Sequence, residues 1–304
     1  MIGDHNFDVR RAFFALAILT TLVPAQEESV NLTFGVYTTD KPTVMYRTFT
    51  PLIEALEKSM EKHLSQPVAI ELRIFKSYTD ARTALVKGHV DFVRFGPASY
   101  VLAKQENPKV QLLAMETKKG KKTFKGYIVV LKNSPIRSLS QVRGKRFAFG
   151  DPNSTIGRYL AQKALMSVGI HANDLSKFKF LGRHDKVFHS VLLGRSDAGA
   201  LKAGTFNKLN KKGQLRVVAS FNNVTKPWVA RSGLGHTLHK TLAVSLISLD
   251  DPVALKSLKA TSLVPSRDQD YAVIRESMKA AEKFDLPAAR PTKKPRPAAR
   301  PEKD

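Results

Sequence analysis

The amino-acid sequence predicts an α/β protein of two similar lobes joined by a hinge, with a cleft between them. Three observations carry the prediction. Strand-like and helix-like segments alternate along the chain, a set of features recurs about a hundred residues further on, and strand-like stretches stand where the chain would pass between the two sets. At 304 residues, with 42% hydrophobic and 25% charged side chains, the chain has material for about two domains of ordinary core. It contains no cysteine. That excludes disulfides, thiolate metal sites, iron–sulfur clusters, a cysteine nucleophile and the lipid anchor of a bacterial lipoprotein.

Taken in order, the chain opens with Arg10-Arg11 and then an uncharged apolar run from Ala12 to Ala25, with Val23 two residues before the small Ala25. A buried first helix would show a polar face and this run has none, so residues 1–25 read as a secretory signal peptide cleaved after about Ala25. The run is shorter than the ~18 apolar residues of a spanning helix. The paired arginines weakly resemble a twin-arginine signal, and Sec and twin-arginine export both stay open. Export predicts a periplasmic protein and argues against intracellular nucleic acid as partner.

Alternation in Asn31 to Tyr37 marks a first strand, and helical spacing follows over Tyr46 to Leu64. Val68 to Phe75 is a second strand, and Thr79 to Lys87 a second helix closed by Gly88. Such an order predicts a parallel sheet, whose ligands sit at the carboxyl ends of the strands. The repeat then appears. Gly88-His89-Val90-Asp91 is matched by Gly194-Arg195-Ser196-Asp197, and an aromatic, Tyr100 or Phe206, follows nine residues after each Asp. Strand-like Val110–Met115 is matched by Leu215–Ser220, and Gly126–Leu131 by Pro227–Arg231. The expected organisation is therefore lobe one over 26–126 and 226–286, with lobe two, 127–225, inserted. Crossovers are expected near Gly126–Val130 and Ser220–Val229, forming a two-strand hinge.

From Pro287 to Asp304 the chain has repeated Pro and no apolar period, which predicts a disordered basic tail. It reads either as a solvated extension or as a segment weakly attracted to anionic membrane. The whole chain carries 50 Lys+Arg against 26 Asp+Glu, a formal +24. Such an excess points to nucleic acid, an anionic membrane or a small anionic ligand, and export favours the last two.

The chemistry-bearing segment is Gly150-Asp151-Pro152-Asn153-Ser154-Thr155-Ile156-Gly157. A short strand, Phe147–Phe149, runs into a turn, and Ser154 and Thr155 fall at the cap and first turn of a helix. Hydroxyls, free backbone N–H groups and a positive helix end would converge there, which suits an oxyanion; a plain helix cap is the alternative. His184 starts another helix after the strand-like Phe178–Leu181, again at a strand end. The chain shows no phosphate-cradling Gly-Lys-Ser/Thr loop, nucleophile elbow or His-Glu-x-x-His helix, and nothing completes a metal site around His236 and His239. No enzyme activity, cofactor or metal is expected.

These segments resemble a known family. Gly88-x-Val90-Asp91-Phe92-x-x-Phe95-Gly96-Pro97-x-Ser99-Tyr100, Gly150-Asp151-Pro152-x-Ser154-Thr155-x-Gly157, Gly182-x-His184 and Ser196-Asp197-Ala198-Gly199-Ala200 occur in the order seen in phosphonate-binding (PhnD-like) periplasmic solute-binding proteins. The similarity covers Val30 to Leu286. It implies a two-lobed type II periplasmic-binding fold that delivers a phosphonate-, phosphite- or phosphate-like anion to an ABC permease. By the same resemblance, Ser154 and Thr155 are oxyanion-binding hydroxyls and His184 is a second-lobe anion contact. Tyr46 and Tyr100 are first-lobe aromatics of the cleft, and Asp197 is the acid that meets the amine of aminoalkylphosphonates. Two positions depart from the family pattern: Ile156 stands where a further hydroxyl is usual, and Asp185 where Glu is usual. Aminoalkylphosphonate specificity is thereby put in doubt. A ligand-responsive partner of a membrane sensor kinase would use the same cleft and is the alternative function.

Overall fold

The computed structural model describes residues 29–285, so the expected leader and the Pro-rich tail lie outside it. The first lobe opens with β1 (Val30–Tyr37), α1 (Pro42–Leu64), β2 (Val68–Phe75), α2 (Tyr78–Val86), β3 (Phe92–Arg94), α3 (Pro97–Glu106) and β4 (Gln111–Thr117). The second holds β5 (Thr123–Leu131), β6 (Arg146–Phe149), a π-helical turn (Thr155–Leu160) running into α4 (Ala161–Met166), β7 (Lys177–Phe180), α5 (His184–Leu192), β8 (Ala198–Lys202), α6 (Ala203–Leu209) and β9 (Leu215–Val224). The chain then returns through β10 (Pro227–Ala230), α7 (His236–Ile247), α8 (Pro252–Leu258), β11 (Ser262–Val264) and α9 (Ala272–Ala281).

The two sheets share one plan. The first runs β11-β4-β10-β3-β1-β2 and the second β9-β5-β8-β6-β7. In each, three strands are parallel, β3-β1-β2 and β8-β6-β7. The next strand, β10 or β5, is antiparallel, where the sequence predicts a parallel sheet throughout. The crossing itself is the reason. Each antiparallel strand arrives from the other lobe, so it enters at the cleft end, where the parallel strands finish.

The chain crosses between Thr117 and Thr123 and returns between Val224 and Pro227. The first crossing falls earlier than the expected Gly126–Val130, because those residues pair with Ala198–Lys202 inside the second sheet. The end of the described chain also departs from the expected lobe-one assignment. Phe284 is fully buried in the second lobe's core, edge-on to Phe149, and its carbonyl accepts from the N–H of Ala172 at 2.9 Å.

Burial explains the long first helix. Met45, Phe49, Leu52, Ile53, Leu56 and Met60 of α1 are buried, a helical stripe laid on the sheet face that also presents Phe34 and Trp228. Phe34 stacks on Phe92 at 4.8 Å and on Trp228 at 5.1 Å. Removing a ring of that kind typically costs about 3–5 kcal/mol.

The repeated Gly-x-x-Asp motif has one structural job in both lobes. Gly88 (φ 76°) and Gly194 (φ 65°) take the left-handed conformation after α2 and α5, which a side chain would strain. Asp91 then accepts from the Thr33 N–H and Asp197 from the Arg146 N–H, each at 2.8 Å. Both carboxylates brace the central strand at the edge of the sheet away from the cleft.

Candidate ligand-binding cleft

The strand ends of both lobes converge on one cavity. Tyr37 closes β1, Gly96 and Pro97 carry β3 into α3, and Tyr78 begins α2. From the other side come Ser154, Thr155 and Ile156 after β6, His184 at the start of α5 and Lys202 at the end of β8. Phe124, Asn223 and Lys226 complete it from the hinge. The cavity volume is about 40 Å³, against the ~10–15 Å³ one water needs on the same measure. With the lobes closed it has room for a small ligand.

The serine is held by a close approach of backbones. Ser154 is the cap of the π-helical turn, its Oγ accepting from the Gly157 N–H at 3.0 Å. The Gly157 carbonyl leaves the helical ladder and accepts from the Gly150 N–H at 2.8 Å. A Cβ on Gly157 would lie 2.7 Å from the Gly150 Cα, and one on Gly150 2.9 Å from the Gly157 Cα. Only glycine fits at either position. The two glycines therefore set where the helix starts and where its free N–H groups point, a geometry suited to an anion. Ile156 nests over another glycine: a Cβ on Gly126 would meet its Cγ2 at 2.9 Å and the Phe221 ring at 2.3 Å.

The lobes are closed on each other. The Thr155 Oγ1 accepts from the Ala98 N–H in the first turn of α3 at 2.9 Å. The Asn153 Nδ2 donates to the Thr79 Oγ1 at 3.1 Å, and Lys208 pairs with Asp40 at 3.4 Å. The first lobe contributes an aromatic wall, in which Tyr37 stacks on Tyr78 at 3.7 Å while its hydroxyl accepts from the Gly96 N–H at 2.6 Å. Burial pushes the Tyr37 hydroxyl up to about 12 and raises that of Tyr78 well above its ordinary value, so both remain neutral.

The electrostatics are one-sided. Burial first, then the fields of Lys202 and Lys226, lower His184 to about 3, leaving a neutral imidazole whose buried Nδ1 has no partner among the described residues. Burial and then Arg94 lower Lys202 to about 8, and the same two causes lower Lys226 well below the usual lysine range. Among the described residues no Asp or Glu lines the cavity.

Of the residues singled out from the sequence, Ser154, Thr155 and His184 come together at this cavity, 3%, 5% and 7% exposed. The other three stand elsewhere. Tyr100 is buried between α3 and α9, its ring 4.9 Å from that of Tyr271 and its hydroxyl donating to Asp268 at 2.6 Å. Tyr46 lies on the exposed side of α1, 53% accessible. Asp197 precedes β8, a strand length from the cleft end, and is engaged by Arg146 at 2.7 Å. None of them lines the cavity. Tyr37, Tyr78, Lys202, Asn223 and Lys226 escape the sequence reading, although Tyr37 and Lys202 obey the same strand-end rule that marks His184.

Comparison with known proteins agrees with this architecture. The family model for phosphonate periplasmic substrate-binding proteins of ABC transporters matches residues 34–271. The phosphite-binding ABC transporter protein PhnD1 of Prochlorococcus marinus is 33% identical over 150 residues, 46% of this chain and 50% of that protein. The phosphonates-binding periplasmic protein of Escherichia coli is 27% identical over 153 residues, 48% of this chain and 43% of that one. The chain thus spans about half the length of the curated relatives it matches. Among solved structures, that of PhnD1 with methylphosphonate superposes with a TM-score of 0.73 at 25% identity, covering 83% of this chain and 98% of PhnD1. The binding component of an ABC phosphonate transporter from Pseudomonas aeruginosa gives 0.74 at 15% identity, covering 87% and 90%, a likeness of fold.

Proposed function

The chain belongs to the phosphonate periplasmic substrate-binding proteins of ABC transporters, and from that premise we propose that its interlobe cleft captures a small tetrahedral oxyanion, phosphonate, phosphite or phosphate, and presents it to a membrane permease. The carrying observation is the cavity wall, where a serine-capped helix start, a buried histidine and two lysines meet with no carboxylate among them. Ser154, Thr155 and the first N–H groups of the π-helical turn hold the anion's oxygens, and His184 adds a contact through its unpartnered ring nitrogen. Hydrogen bonds to a charged ligand contribute about 1.5–3 kcal/mol each, more than neutral ones, and they gain strength as the closing lobes exclude water.

Closure needs differential contact in the closed state, since a ligand shifts an equilibrium only by its preference for one form. Tyr37, Gly96 and Pro97 of one lobe and Ser154 to Ile156 of the other meet only when the lobes are shut. The cycle requires no covalent step. Export by the 1–25 leader belongs to this reading, and mass spectrometry of the periplasmic protein should find an N-terminus just after Ala25. Sensing by a kinase partner gains no support, because the matched relatives are transport components.

Calorimetry with methylphosphonate, phosphite and inorganic phosphate tests the reading. Saturable binding to one site, with a higher Tm, is expected from at least one of them. Absence of heat for all three, with an unchanged Tm, contradicts it.

A further inference from the structure

Resting on that reading, we propose that the cleft selects the fully deprotonated, dianionic form of a small tetrahedral anion with an apolar substituent or none, and that Lys202 and Lys226 exclude ligands bearing an amine. The two lysines reach the cavity from different elements, the end of β8 and the hinge between β9 and β10, and both line it. Neither has an ion-pair partner among the described residues.

The surrounding charges sharpen the point. The acids whose fields reach them are Asp40 and Glu116, and each already has its own cation: Lys208 for Asp40 and Arg94 for Glu116. Arg94, Lys118 and Lys259 act on Lys202 with the same sign as its own charge, and Arg94, Lys202 and Lys118 do so on Lys226. Asp185, the acid nearest in sequence to His184, is paired with Arg183 at 2.7 Å. The field of Asp151 reaches Tyr37 and Tyr78, on the aromatic wall. The empty cleft therefore holds two buried lysines with no dedicated counter-charge, whose ammonium forms are costly there, and a ligand stabilises those forms in proportion to the negative charge it brings.

A ligand with two negative charges satisfies both lysines. A monoanion of the same shape leaves one of them unpaired or deprotonated. An ammonium group on the ligand would be enclosed beside like charges in a cavity of about 40 Å³, with no carboxylate to receive it. What the wall offers a substituent is apolar instead: Phe124 and Ile156, the latter seated over Gly126, with Pro97 facing them.

Three ligands separate charge from shape: methylphosphonate, methanesulfonate (nearly the same shape with one charge fewer) and 2-aminoethylphosphonate (the same head with an added amine). Calorimetry on the mature protein at pH 8.5, where the phosphonate is a dianion, should give methylphosphonate at least tenfold tighter binding than either of the others. The Lys202→Met and Lys226→Met variants, checked for folding by circular dichroism, should each narrow the methylphosphonate-to-methanesulfonate ratio at least threefold. A ratio below tenfold for either competitor overturns the proposal while leaving anion capture standing. A ratio unchanged in both variants also overturns it, because the discrimination then has another source. If methylphosphonate, phosphite and phosphate all fail to bind the folded protein, the parent reading fails, and this one with it.

Discussion

The two lobes are one α/β plan used twice, and the comparison separates scaffold from site. Gly88 and Gly194 end equivalent helices, Asp91 and Asp197 brace equivalent strands, and β10 and β5 take equivalent antiparallel places. Where the lobes agree, the residues maintain the fold at the edge away from the cleft. They differ at the strand ends that face each other: the first lobe supplies the stacked tyrosines Tyr37 and Tyr78, the second Ser154, Thr155, His184 and Lys202. A repeated motif is thus evidence of architecture, and the departures from the repeat line the cavity. The aromatic wall gives shape, and the polar wall gives charge and hydrogen bonds.

Substitutions can break that division at its strongest point first. Gly157→Val puts a side chain into the Gly150 backbone and displaces the start of the π-helical turn. It should abolish measurable anion binding and lower the Tm markedly, whereas Gly204→Ala, at a position where a Cβ meets nothing within 4 Å, should leave affinity intact. Next in size, Ser154→Ala combined with Thr155→Val removes two hydroxyls from the polar wall and should cost about 3–5 kcal/mol of binding by calorimetry. Tyr37→Phe, on the aromatic wall, removes one neutral hydroxyl and should cost only about 0.5–1.5 kcal/mol. Equal losses would mean that the walls share the anion.

A third effect is read in pH. The folded-state pKa of Lys202, lowered to about 8 from 10.5, means that the unfolded chain holds more protons between those values. The ligand-free protein should therefore gain stability as pH rises from about 8 to 10.5, by up to about 2–3 kcal/mol. Denaturant unfolding should show that gain in the parent protein and a smaller one in a Lys202→Met variant, where Lys226, also lowered by burial, still adds to the slope. Smallest is the effect at the scaffold edge. Asp197→Asn should lower stability by about 1 kcal/mol through its partly exposed contacts with Arg146, with ligand affinity within twofold. Tyr46→Ala should change affinity no more than that.

The fold was legible because its signals are local. Alternation, helix-ending glycines and a repeat at one offset are written in consecutive residues, and the same holds for the placing of Ser154, Thr155 and His184 at helix starts after strands. The antiparallel strands were not legible, since their direction depends on the path between lobes and not on their own sequence. Lys226 stands among fifty basic residues with nothing local to distinguish it, and Lys202, although at a strand end, is buried only by the approach of the opposite lobe. Tyr100 shows the converse. α3 is buried on most of its surface, so the sequence gives no sign that this ring turns toward Tyr271 and away from the cavity. Asp197 was misplaced because it belongs to the repeat, which marks the bracing edge.

The crystal structure of the mature protein with methylphosphonate tests the central claim most directly. The phosphonate should lie between the lobes with its oxygens about 2.6–3.2 Å from the Ser154 and Thr155 hydroxyls and an ammonium of Lys202 or Lys226 on the same head group. A phosphonate bound outside this cavity, or one inside it that touches neither hydroxyl and neither lysine, would contradict the account.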